Sequence, residues 1–456
     1  MNKIYTLILM VFLAVGFIAC EDDDCDRLHI DMDMMGIPTV LKGSFPVGTL
    51  TPAVGDSIVF APQLLDTAGV SYAWKLNGQE VSSDSAFTYR IEKPCRAKVE
   101  CTLKNAKGEV MLEADIVSKT DLTQGVLIVQ KNSVDYYDTK AGKRYSDVYS
   151  SLNYGEGINL GSYDDLYATR IDDKLYMMVS TSTSNVEHIF SADAKTLYAE
   201  NSAVVAANLD GFIPLNDQQA LVVGGGAYRM DLTSFSKVQL LKKYGWAIYN
   251  GIVVNGKLLG NMTYQSLAKV NVYGLNDVLN AAENGMPEPS VLEVWQDGKI
   301  NFVKAGGDVY TIGCNEEKTE YYLVRIASDL MLKKEVLPFK PMLSGYRHGI
   351  YTAGLALSKT GNEIYIPAED QSIYKYVLGN AASLSVPFIA APEGDEELSG
   401  AGINVNPRNG ELWVCYSEEV GWNEDAGKIV VFDAAGNKVK SIDCGDVAPQ
   451  AVLFNN

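Results

Sequence analysis

His348 stands beside Arg347, the pairing that would suit a general base next to an oxyanion partner. Such a base also needs a nucleophile or carboxylate converging on the ring, and no Ser-His-Asp order or carboxylate pair accompanies it in the sequence. His348 is therefore expected to act as a hydrogen-bonding loop residue. The other histidines, His29 and His188, lie far away and in no metal-ligand spacing, so the sequence supplies no zinc set and no catalytic residue. Gly224-Gly225-Gly226 is not a phosphate loop, because no Lys-Ser/Thr follows and no helix begins there; it fits a tight turn. Asp172-Asp173, Glu316-Glu317 and Glu418-Glu419 read as solvated turns.

Cys20 carries a different chemistry. Met1-Asn2-Lys3 opens the chain with one positive charge, and an uncharged apolar run follows from Ile4 to Ala19. That run is shorter than the ~20 apolar residues of a spanning helix and reads as a signal peptide, residues 1–19. Its end, Val15-Gly16-Phe17-Ile18-Ala19-Cys20, resembles a bacterial lipobox, with Phe17 where Leu is usual and Ile18 where a small residue is usual. The resemblance implies cleavage before Cys20, diacylation of its thiol and acylation of the new amine. Two or more chains anchor a protein stably, because each buried CH₂ contributes ~0.8 kcal/mol. The next residues, Glu21-Asp22-Asp23-Asp24, stand where lipoproteins of Bacteroidota carry an acidic signal for display on the outer surface. The alternative is a solvated acidic tether; either way residues 20–36 form a lipidated leash. It is no metal site, since a flexible run has no preformed cage for a cation that wants 6–8 oxygens.

With 47% hydrophobic and 21% charged residues in 456, the chain can bury a large core, which excludes wholesale disorder. Lys+Arg 38 against Asp+Glu 57 gives a net charge of -19, the wrong sign for non-specific binding to nucleic acid or anionic membrane. Seven cysteines become six once Cys20 is acylated. Cys95 and Cys101 lie on what reads as one strand, ~20 Å apart at ~3.3 Å per residue, and cannot pair unless the strand starts after Cys95. Cys314, Cys415 and Cys444 read as buried apolar thiols.

Residues 37–120 read as a small β-sandwich, with alternating runs at Ser57–Phe60, Val70–Leu76, Ala86–Ile91, Ala97–Leu103 and Val110–Ile116 broken by turns such as Asn77-Gly78. Tyr72-Ala73-Trp74-Lys75-Leu76-Asn77-Gly78 followed by Val99-Glu100-Cys101-Thr102-Leu103 resembles PKD-like and immunoglobulin-like modules, with Trp74 as the inter-sheet core residue. Such modules serve as spacers or docking surfaces.

From Gly125 to the end there are 332 residues, and a seventh of that is ~47, inside the window of propeller blades. Six complete groups of four strands can be drawn, from Asp165–Ile171 through Lys438–Ile442, with Val386–Ile389 as the outer strand of one. Three strands are left at the front, Gly125–Val129, Val134–Asp138 and Arg144–Val148, and Ala448–Phe454 at the back would complete them, removing open edges. Phrases such as Asn409-Gly410-Glu411-Leu412-Trp413-Val414 and Val431-Phe432-Asp433 resemble YVTN-type, lactonase-like seven-bladed β-propellers. The fold expected over residues 121–456 is thus an all-β propeller closed by its C-terminal strand. Gly125-Val126-Leu127-Ile128-Val129 and Asp193-Ala194-Lys195-Thr196-Leu197 are similar to propeller lipoproteins of Bacteroidota that accompany TonB-dependent transporters. Asn276–Pro289, with helical spacing at Val278, Leu279 and Ala282, interrupts one blade on the face opposite the expected binding face.

On this map one face of the ring carries Tyr163, Trp246, Tyr249, Tyr264, Trp295, Tyr346, Arg347, His348 and Trp422. Aromatic residues with few polar groups suit a stacking platform for a planar or sugar-like ligand; the competing reading has half of them wedged between blades. The resemblance implies a lipid-anchored, surface-exposed protein of the outer membrane that captures a nutrient for a TonB-dependent transporter. A corrinoid leads and a glycan or peptide follows, with no cofactor beyond the lipid and no nucleic-acid partner. A hydrolase or lyase acting on a sugar or lactone would need acids converging on the channel mouth. A purely structural interaction protein would show a broad apolar face and no pocket.

Overall fold

The computed structural model describes residues 36–155, 159–162, 165–180, 188–204, 211–223, 226–241, 248–262, 267–297, 300–342, 354–391, 396–418 and 426–455. Two compact units divide the chain: one takes in Ile58–Tyr89, Lys98–Asp115 and the chain up to Leu50, and the other Thr51–Ser57, Arg90–Ala97 and everything from Ile116. No described helix is long and apolar enough to cross a membrane.

The N-terminal strands form two sheets. Gly48–Leu50, Gly108–Val117, Arg96–Asn105, Ser71–Leu76 and Gln79–Ser82 lie side by side in that order, and Ser57–Phe60 pairs with Phe87–Arg90. Trp74 is fully buried, with the rings of Phe45, Phe60 and Phe87 5.8–6.4 Å from its own and its indole N–H donating to Asp84 O at 2.8 Å. The apolar side chains of Arg96–Asn105 alternate into this core, as a half-buried strand requires. That strand starts one residue after Cys95, and Cys95 and Cys101 are both buried.

Beyond Ile116 the chain lays down antiparallel meanders one after another. Asp165–Ile171, Lys174–Ser180, His188–Asp193 and Ala199–Val204 make one four-stranded sheet; Gly211–Pro214, Gln219–Val223, Ala227–Asp231 and Lys237–Leu241 make the next. An eight-stranded sheet follows, in which Ile248–Val254, Lys257–Met262, Leu267–Gly274 and Ser290–Asp297 continue into Asp308–Cys314, Tyr321–Ile326 and Leu332–Val336, with Val303–Ala305 paired to Asp308–Cys314. Then come Ala356–Leu357, Glu363–Pro367 and Ile373–Val377, and last Glu396–Val405, Leu412–Glu418, Ala426–Phe432 and Lys438–Asp443. The C-terminal strand Pro449–Phe454 pairs antiparallel with Val126–Gln130, in a sheet with Val134–Asp138 and Lys143–Tyr145. Buried side chains from facing sheets form the cores; Tyr137, Trp413, Ile429 and Val452, for example, share one.

Three local expectations are corrected. Val386–Ile389 makes only a single bridge, Ile373 to Ile389, so its sheet has three strands. The strand expected at Arg144–Val148 ends at Tyr145, because Asp147 takes a left-handed conformation (φ 47°) and starts the helix Val148–Leu152, which buries Val148, Tyr149 and Leu152. The insertion forms a single short helix, Leu275–Asn280, and the chain after it bonds through Asn284 N to Gln239 O (2.9 Å) and Met286 N to Leu240 O (3.1 Å), covering the outer edge of Lys237–Leu241.

Candidate functional site

Counting Pro449–Phe454 as the first strand of the meander it makes with Val126–Gln130, the first strand of each meander has one edge left free by its own sheet, and in three of them the pairing with the second strand is interrupted. In Ile248–Val254 the partners jump from Ile248↔Met262 to Asn250↔Asn261, leaving Tyr249 as the extra residue. In Pro449–Phe454 they jump from Pro449↔Gln130 to Ala451↔Val129, leaving Gln450. In Glu396–Val405 they jump from Leu398↔Tyr416 to Ile403↔Val414, so Ser399, Gly400, Ala401 and Gly402 stand against Cys415 alone. By contrast, Asp165–Ile171 pairs without a break along its length. A bulge frees backbone groups from the ladder and redirects a side chain, which is why bulges cluster beside binding sites. Tyr249 and Gln450 are each the second residue of their strands, and Ser399–Gly402 lies in the middle of its own. The Gln450 amide oxygen is buried without a hydrogen-bond partner, a cost of roughly 1–3 kcal/mol for a group that a ligand or water would satisfy.

A polar seam joins the fourth and fifth meanders. Trp295 pairs with Cys314, and a Cβ at Gly313 would lie 3.0–3.2 Å from Val324, Val294 and Trp295 O, so a glycine lets the strands approach. Gln296, fully buried, donates to Thr311 Oγ1 at 2.6 Å; the Thr311 hydroxyl donates to Asn301 O at 3.0 Å. Asn301 in turn grips Leu355 through both its amide atoms, at 2.9 and 2.6 Å. Beside the seam Lys318 Nζ lies 2.8 Å from Asp297, and that bond holds the ammonium above its usual range.

Of the aromatics expected on the binding face, Trp295 is the one whose side chain is described. It is half-buried in its strand, with the Lys269 ammonium 4.7 Å from its ring centroid, and it packs against the core containing Tyr310, Tyr321 and Ile364. Tyr249 is placed by its backbone at a bulge. Tyr163, Trp246, Tyr264, Tyr346, Arg347, His348 and Trp422 lie outside the described residues, as do Cys20, Glu21, Asp22, Asp23 and Asp24. Gln450 and the polar seam were missed by sequence reasoning. The Ser399–Gly402 run was the available signal, four small residues in front of a strand that was expected to start only at Gly402.

Cys101, Cys314, Cys415 and Cys444 are buried, which disfavours their thiolates. Burial pushes Cys314 up to about 11 and Cys101 and Cys444 up to about 12, and it raises Cys415 well above the usual thiol value. Among the described residues no group of three His, Cys, Asp or Glu side chains is placed to hold a metal.

The architecture is that of a nearly all-β, propeller-like protein. The chain is similar to a solved quinonprotein alcohol dehydrogenase-like protein from Bacteroides thetaiotaomicron, 38% identical, covering 92% of this chain and 99% of that one with a TM-score of 0.85. A more remote likeness is to the β-propeller domain of Swd1 from Myceliophteria thermophila, 11% identical, covering 63% of this chain and 88% of that one with a TM-score of 0.39. A search of curated proteins finds no match. Residues 126–455 match the model of the domain of unknown function DUF5074, and the chain belongs to that family.

Proposed function

We propose that the protein is a lipid-anchored, surface-displayed capture protein. In this reading seven blades close into a ring through Pro449–Phe454, behind a PKD-like spacer, and the ring binds a nutrient for a TonB-dependent transporter of the outer membrane. The observation that carries the binding part is the set of interrupted first strands at Tyr249, Ser399–Gly402 and Gln450. In a closed ring these strands would line the channel, and their N-terminal ends would open on the face where the expected aromatics lie. A corrinoid is the leading ligand and a glycan or peptide the next. Anchoring rests on Cys20 and display on Glu21–Asp24.

The test is made in cells. Cys20→Ala should abolish metabolic palmitate labelling, remove the protein from intact-cell protease attack, and reduce uptake of labelled cyanocobalamin or of a neutral oligosaccharide at limiting concentration. Equal labelling of wild type and variant removes the anchor, and unchanged uptake of both nutrients removes the capture role.

A further inference from the structure

We infer that the interrupted first strands recognise an uncharged ligand that presents hydroxyl or amide hydrogen-bond donors, and that Gln450 is one of its contacts. This rests on the ring reading, since a closed ring is what brings the three bulges to one channel end. The chemistry at the bulges is neutral throughout: a tyrosine, a serine, a carboxamide, and backbone groups flanked by glycines that let a ligand approach the main chain. Gln450 Oε1 is buried and without a partner, so what it lacks is a donor.

The surrounding charge argues the same way. The fully described connections at that end are 131–133, 315–320, 368–372 and 444–448. They expose Glu316, Glu317, Glu320, Glu369, Asp370 and Asp446. Against these stand Lys131, Lys318 and Lys340, of which Lys318 is already bonded to Asp297 and Lys340 to Glu369. A rim with this excess of carboxylates repels anionic ligands and leaves neutral ones unpenalised. The carboxylates act as a filter here; the contacts are the bulges.

A glycan and a corrinoid bearing carboxamides both supply such donors, and the experiment separates them. Purified full chain is titrated calorimetrically with maltoheptaose, cyanocobalamin and, as the anionic counterpart, oligogalacturonate. The expected result is binding of one neutral probe and none of oligogalacturonate. Gln450→Leu and Tyr249→Ala should each weaken that binding at least tenfold, while Val439→Ser on an exposed outer strand leaves it unchanged. Thermal melts check folding, and Gln450→Asn, which withdraws the amide by one methylene, replaces Gln450→Leu if the latter does not fold. Binding of neither neutral probe, or tighter binding of oligogalacturonate, overturns the ligand class; full affinity in both variants overturns the placement. Because purified protein is used, loss of surface display would leave this result standing.

Discussion

Three third strands end on an aspartate, and a fourth is followed directly by one, whose carboxylate accepts from the backbone ahead of it. Asp138 takes Lys140 N and Ala141 N, Asp193 takes Lys195 N and Thr196 N, Asp231 takes Thr233 N and Ser234 N, and Asp433 takes Ala435 N and Asn437 N, at 2.7–3.0 Å. These bonds hold Asp231 and Asp433 below the usual carboxylate range. The turn then forces a left-handed residue, Leu197 at φ 59° and Phe235 at φ 54°, a conformation unfavourable by about 1–2 kcal/mol for side chains with a Cβ. Burial of both side chains offsets it. Asp147 is the opposite case. Its side chain makes no cap hydrogen bond to the helix it precedes, its φ is 47°, and burial raises its carboxyl above the usual range. A carboxyl raised on folding makes the native state bind its proton more tightly than the unfolded chain. Stability therefore falls as pH climbs from the ordinary carboxylate range through the raised value, and stays lower above it. Asp147→Asn removes the ionisation and keeps a residue tolerant of left-handed backbone. Its melting temperature should exceed wild type by ~1–2 °C at pH 7 and converge with it near pH 3.5; a gain that persists at low pH would assign the effect to backbone preference instead.

At the scale of elements, the insertion shows how one side chain fixes a segment. Arg229 Nη1 donates to Val278 O (3.0 Å), to Leu279 O and to Ala281 O (3.1 Å), gathering carbonyls at the C-terminal end of the helix Leu275–Asn280 and of the residue that follows it. Arg229→Met keeps the stem and removes the donors, so it should cost roughly 2 kcal/mol and open the insertion to proteolysis before global unfolding; an unchanged melt with unchanged protease resistance would contradict that role. The helix was legible at Val278 and Leu279, though it ends at Asn280 before the expected Ala282, and most strands in their alternation and turn residues, because both are local patterns. Val386–Ile389 alternates like a strand yet has one bridge, since pairing depends on a neighbour that alternation cannot see. The same limit hid the bulges: period-two patterning reports which face a residue takes, and the residue opposite it across the ladder is set by the partner strand. Trp295 was expected on the binding face; its strand partner Cys314 and its covering Lys269 come from other strands, which its own sequence neighbourhood does not show.

At the scale of the molecule, side chains far apart in sequence converge on the last residues. Gln130 donates to Cys444 O (2.9 Å) and Val447 O (2.8 Å), and Arg144 donates to Asp443 O (3.0 Å) while its Nε meets the fully buried Asp135 at 2.7 Å. Arg170 reaches Phe454 O (3.0 Å), and Arg408 bridges Asn455 O (2.7 Å) and Thr123 O (3.0 Å), while Asn455 donates to Leu122 O (2.9 Å). These bonds surround a strand that also pairs with Val126–Gln130, so the C-terminal segment supports the first meander of the unit. If the meanders close into a ring, removing that strand uncovers Val126–Gln130 on one side and deprives the neighbouring core of Val452 and Phe454 on the other. A chain truncated after Gly445 should then lose cooperative unfolding or melt at least ~10 °C lower, and its newly unpaired edge should drive association. Arg408→Met is the milder counterpart, removing two charged-donor bonds worth roughly 1.5–3 kcal/mol each at most while leaving the strand in place. Size-exclusion chromatography with light scattering, run beside calorimetry, reads both effects. A truncated chain that stays monomeric with the wild-type melt would refute closure through the C-terminal strand and leave the meanders an open series.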